Sequence, residues 1–101
     1  MAIDSSYQHD HGMLHLSDSL IYSEGPEFRR HLNRLINASI RTLAIDLQHL
    51  TYMDSSGLGM LLVAGNECRT HSIALTLHRP TGTIESLLRL TNCYERFTVT
   101  E

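Results

Sequence analysis

Apolar and polar positions alternate with two different periods along this chain, and the changes of period mark its elements. From about Pro26 to Ser39, Phe28, Leu32, Leu35 and Ile36 recur at helical spacing, while Arg29, Arg30, Asn33 and Asn37 fall away from that stripe. This predicts an amphipathic helix, and Pro26 suits its first turn. Thr42–Leu47 switches to strand spacing, with Leu43, Ile45 and Leu47 on one side. Ala44 keeps the other side small, so burial on both faces is expected. Upstream, Ile3–Gln8 reads as an edge strand, His9–Gly12 as a turn, and Met13–Ser17 as a second strand carrying Met13, Leu14 and Leu16.

Beyond the segment TYMDSSGLGMLLVAG (Thr51–Gly65), a second helix is predicted to run to about His71. Leu58, Leu61, Leu62 and Gly65 are expected on the sheet, with Met60 and Val63 pointing the opposite way near Glu67. Ile73–Leu77 is the next strand. Thr81 or Thr83 caps a third helix with Ile84, Leu87, Leu88 and Thr91 on its inner face, and Phe97–Val99 closes the chain as a short strand. Strands alternating with helices imply an α/β layer. No repeat, low-complexity tract or linker divides residues 1–101, so one domain is expected.

Composition narrows the function classes. Apolar residues make up 42% of the 101 residues and charged residues 19%, enough for a real core. The net charge of -3 argues against nucleic acid, which demands a surplus of Lys and Arg on one face. No apolar run approaches the roughly 20 residues of a bilayer span, and the start, MAIDSSYQHDHG, lacks the basic and apolar regions of a signal peptide. Cys68 and Cys93 fit neither a disulfide scaffold nor a metal motif and read as reduced thiols, so the cytoplasm is the expected compartment. Cys68 is expected in the core.

The chemistry concentrates before the second helix. Asp54, Ser55 and Ser56 are all good N-cap residues, and capping alone would account for them. Capping does not account for Gly57 and Gly59, each costing about 1 kcal/mol relative to alanine inside a helix. Glycines there allow another backbone to approach closely. A helix start also carries unpaired N–H groups and a partial positive charge, which suit a phosphate. Met60 and Val63 beside Glu67, on an outer face next to exposed serines, suggest a docking surface. Elsewhere the signals are bland. His9, His11 and His15 lack partners at metal-ligand spacing, so no metal or other cofactor is expected. His31, His49, His71 and His78 read as surface or element-end residues, and Arg29, Arg30 and Arg34 as a solvated helix face. No histidine accompanies a serine in a recognisable catalytic pattern, so an enzyme is not expected.

The stretch LAIDLQHLTYMDSSGLGMLLVAGNECRTHSIALTL, Leu43–Leu77, resembles the STAS domain, specifically its anti-sigma factor antagonist branch. The likeness extends from about Met13 to Val99 and is strongest across the D-S-S-G-L-G loop. It implies a single STAS-like α/β domain with a mixed four- to five-stranded sheet and helices mainly on one side. It implies partner switching: the unphosphorylated protein binds an anti-sigma factor that is also a serine kinase and frees that factor's client. The kinase phosphorylates the serine after the motif aspartate, here Ser55, and a serine phosphatase reverses the step. By the same carry-over Asp54, Ser56, Gly57, Leu58 and Gly59 surround the phosphosite, and Met60, Val63 and Glu67 belong to the partner surface.

The chain departs from the pattern at Asp18 and Ile21, where family members usually carry a glycine and, three residues on, an aspartate. That departure makes a response-regulator-linked kinase or phosphatase the alternative partner. The usual final helix is expected to be short or missing. A second implied role is a STAS subunit of a membrane lipid-transport ABC complex. A nucleotide-binding loop is the weakest reading, since the P-loop lysine is missing.

Overall fold

The computed structural model describes residues 3–101. The elements follow in the order β1 (Ile3–Gln8), β2 (His11–Leu20), α1 (Gly25–Asn37), β3 (Thr42–Met53), α2 (Ser55–Thr70), β4 (Ala74–His78), α3 (Gly82–Leu90) and β5 (Thr98–Thr100). Short 3-10 turns cover Tyr22–Glu24 and Cys93–Glu95. The five strands form one sheet in sequence order. β1 runs antiparallel to β2, and every later pair is parallel. A tight turn suffices for β1–β2, whereas each parallel pair needs a crossover, supplied here by a helix.

Register explains where the core lies. Leu14 is level with Ile45, and Ile45 with Leu77, so these side chains share one face. All three are buried, together with Leu16, Leu20, Leu43, Leu47 and Leu50. Phe28, Leu32 and Leu35 of α1, Leu61 and Ala64 of α2, and Ile84 and Leu88 of α3 join them in a single core. The helices therefore cover one face of a mixed sheet. The opposite face stays polar: His15 Nδ1 lies 3.2 Å from Asp46 Oδ2, and His78 and Thr100 are hydrogen-bonded.

That open face corrects one expectation. Ala44 is only partly buried between Thr42 and Asp46, so β3 is buried on one side alone. β2 and β3 also run further than their patterning predicts. The pairing shifts register between His15 and Ser17 and between Asp18 and Ser19, which breaks the alternation that would reveal continuous strands. At the second irregularity Asp18 adopts φ +64, a conformation that glycine enters freely and aspartate tolerates. A glycine is what the family resemblance leads one to expect there.

α1 buries the stripe read from the sequence, with Ile36 half-buried at its edge. α3 starts after Thr81 and buries Ile84 and Leu88, but Thr91 is exposed, because the helix ends at Leu90 and the chain turns away. His31 is not a surface residue. Its ring lies between α1 and β1, with Nδ1 2.5 Å from the buried Ser5 hydroxyl, which also accepts from Arg34 Nη1 at 2.9 Å.

Candidate functional site

The site forms where β3 gives way to α2. Asp54 is extended at φ -94, ψ -174, which suits an N-cap. Its Oδ1 accepts from the Gly57 N–H at 2.8 Å, and its carbonyl accepts from Leu58 N–H at 3.2 Å. The other carboxylate oxygen reaches across to the β2–α1 loop and accepts from the Tyr22 N–H at 3.2 Å. One side chain thus caps α2 and fastens the neighbouring loop to it.

The two glycines of the motif differ. A methyl group on Gly57 would run into the Leu20 carbonyl oxygen and lie 2.9 Å from Met53 Cβ. Bare backbone is required there, because the first turn of α2 rests on the end of β2. A methyl on Gly59 would meet nothing within 4 Å. Packing inside the molecule therefore explains Gly57 and leaves Gly59 unexplained.

Ser55, in the first turn, is exposed; Ser56 is half-buried and turned toward α1. Neither hydroxyl makes a hydrogen bond among the described residues. Both Asp54 carboxylate oxygens are engaged by backbone N–H groups, and neither is hydrogen-bonded to Ser55. Nothing among the described residues prepares Ser55 as a nucleophile of its own, while its hydroxyl is accessible to an external enzyme.

The inner face of α2 is Gly57, Leu61, Ala64 and Cys68, rather than the predicted Leu58, Leu61, Leu62 and Gly65. Leu58 and Leu62 are half-buried beside Asn66, Thr91 and Arg96, and Gly65 lies against Phe97. Met60 and Val63 do not point away from the protein. They face α1 and, with Ser56, form one wall of a cleft whose other wall includes Pro26, Phe28 and Arg29. Glu67 continues that side of the helix and is half-buried. Burial pushes the Cys68 thiol up to about 11, and the neighbouring Glu67 charge adds to the shift. Cys68 is an inert core group.

Sequence reading missed the tyrosines. Tyr22 and Tyr52 are 78% and 54% exposed. One lies in the loop that Asp54 holds, the other two residues before Asp54. The only available signal was their nearness in sequence to the two ends of that contact. The histidines near the start do not gather: among the described residues no group of three His, Cys, Asp or Glu side chains is placed to hold a metal ion. No helix among them is long and apolar enough to cross a membrane.

The fold agrees with the family to which the sequence is matched. The chain belongs to the STAS domain family, whose model matches residues 2–101. Its fold is that of solved anti-sigma factor antagonists. SpoIIAA in its unphosphorylated form superposes with a TM-score of 0.83 at 18% identity, over 99% of this chain and 89% of that one. The Bacillus cell fate determinant SpoIIAA in its phosphorylated form gives 0.77 at 17% identity, over 99% and 92%. An anti-sigma factor antagonist from Mycobacterium paratuberculosis gives 0.84 at 14% identity, over 97% and 83%.

Proposed function

We propose that this protein is a cytoplasmic partner-binding module without catalysis of its own, switched by phosphorylation of Ser55. The observation that carries the reading is the exposed Ser55 hydroxyl on the first turn of a helix whose cap, Asp54, is already committed to backbone N–H groups. The similarity in fold to an antagonist solved in both unphosphorylated and phosphorylated forms supports it.

The mechanism rests on charge. Phosphorylation adds about -1.5 to -2 charges at pH 7. The positive end of α2 accommodates that charge in the free protein. A partner surface fitted to a neutral hydroxyl would instead have to bury a dianion beside the Asp54 carboxylate. Uncompensated burial of charge costs several kcal/mol, so the partner dissociates with no change of fold. The partner is an anti-sigma factor that doubles as the serine kinase, and a serine phosphatase resets the switch. Gly59, one turn beyond Ser55, presents bare backbone to that partner. Met60, Val63 and Glu67 contribute the adjacent edge, while Ser56, Gly57 and Leu58 hold the turn in shape.

The test is incubation with the cognate kinase and ATP, followed by mass spectrometry. A single phosphate on Ser55, lost in Ser55→Ala, is expected. Full modification of Ser55→Ala at another residue would defeat the assignment.

A further inference from the structure

The cleft between α1 and α2 shares Met60 and Val63 with the proposed partner edge but carries a charge, Arg29, that the switch does not use. It has a volume of about 640 Å³, within the roughly 300–1,000 Å³ of small-ligand sites. Buried Phe28 and Leu32 line its α1 side, and Met60 and Val63 line its α2 side. No carboxylate lines it; its single charged group is the Arg29 guanidinium, with the Ser56 residue opposite on α2. Most other arginines are engaged, among them Arg30 with Glu27, Arg34 with Ser5 and Arg89 with Glu85, and Arg96, which also has no ion pair among the described residues, lies outside this cleft. Arg29 has no ion pair or hydrogen bond among the described residues. An apolar trough with one uncompensated cation at its side is complementary to an occupant with an apolar body and one negative end.

We propose that this cleft binds a free, single-chain amphiphile with a carboxylate head, its chain along Phe28, Leu32, Met60 and Val63 and its head at Arg29. Both parts are required. The head alone gains only a solvent-screened contact with Arg29, and a chain with a cationic head meets like charge. The inference stands apart from the phosphorylation reading, since it does not depend on Ser55 being modified.

The experiment is titration of the full chain with monomeric decanoate, below its micelle-forming concentration, followed by amide and methyl NMR shifts. Saturable shifts confined to the α1–α2 cleft are expected, with no response to acetate or to decyltrimethylammonium. Arg29→Glu, at an exposed position, should keep the fold and weaken decanoate by about tenfold or more. Val63→Trp, which fills the trough, should abolish the saturable shifts while the rest of the spectrum is retained. Equal responses to decanoate and decyltrimethylammonium, or unchanged affinity in Arg29→Glu, would overturn the proposal. So would flotation with phosphatidylglycerol vesicles without binding of monomeric decanoate, which would make the face a membrane contact. Protection of the cleft by a protein partner alone, with no decanoate binding, would assign it to that partner instead.

Discussion

Two helices in this molecule begin in the same way on paper. Each follows a parallel strand, and each starts among hydroxyl residues and a glycine: Asp54–Gly57 at the start of α2, Thr81–Thr83 at the start of α3. Their construction differs. At α2 the cap residue bonds Gly57 N–H and also holds Tyr22 N–H of another loop, and Gly57 rests on the end of β2. At α3, Thr81 makes no side-chain cap bond, and a methyl on Gly82 would meet nothing within 4 Å. Hydroxyls at a helix start therefore do not by themselves mark a site. What distinguishes α2 is that its first turn is fixed from two sides while Ser55 remains exposed.

The contrast can be broken experimentally, most forcefully at the glycines. Gly57→Ala drives a methyl into a backbone oxygen that has no room to yield, and should destabilise the fold by about 3 kcal/mol. Gly82→Ala has space and suffers only its left-handed φ of +53, a cost of about 1–2 kcal/mol. Urea denaturation of the two variants measures the difference, and equal losses would mean that α2 is not seated as described.

The caps come next. Asp54→Ala removes one helix cap and the tie to Tyr22, and should cost about 2 kcal/mol by the same measurement. Amide exchange should also quicken in the β2–α1 loop. Thr81→Ala removes no side-chain cap bond and should change stability by less than about 0.5 kcal/mol.

The smallest effect has the opposite sign. Gly59→Ala relieves a helix glycine with no internal packing role and should stabilise the free protein by about 0.5–1 kcal/mol. Under the switching mechanism the same variant should slow phosphorylation of Ser55, because the new methyl lies one turn beyond it on the partner's side. An unchanged phosphorylation rate would return Gly59 to ordinary helix surface, and a loss of stability in Gly59→Ala would contradict the open space around it.

These pairs also show what the sequence could and could not disclose. The α1 stripe was legible because Phe28, Leu32 and Leu35 are large and the opposite side is charged or amide-bearing. The orientation of α2 was not. Its core-facing positions include Gly57 and Ala64, small residues that apolar counting ignores, while Leu58, Met60 and Leu62 pack sideways against its neighbours and Val63 lines the α1–α2 cleft. A helix flanked on both sides is apolar almost all round, so the pattern no longer points at the sheet. The extents of β2 and β3 were hidden by register shifts, and the open sheet face by an alanine that could have suited either environment. At the site, a special role for the helix start was legible from Asp54 through Gly59. The Asp54–Tyr22 contact, which spans 32 positions in sequence, was not.

The measurement that bears most directly on the switch is the affinity of the anti-sigma factor partner for this protein carrying either serine or phosphoserine at position 55. With the fold unchanged between the two forms, binding should weaken by about a hundredfold or more on phosphorylation. Equal affinities for the two forms, with the phosphate verified in the complex, would contradict the mechanism.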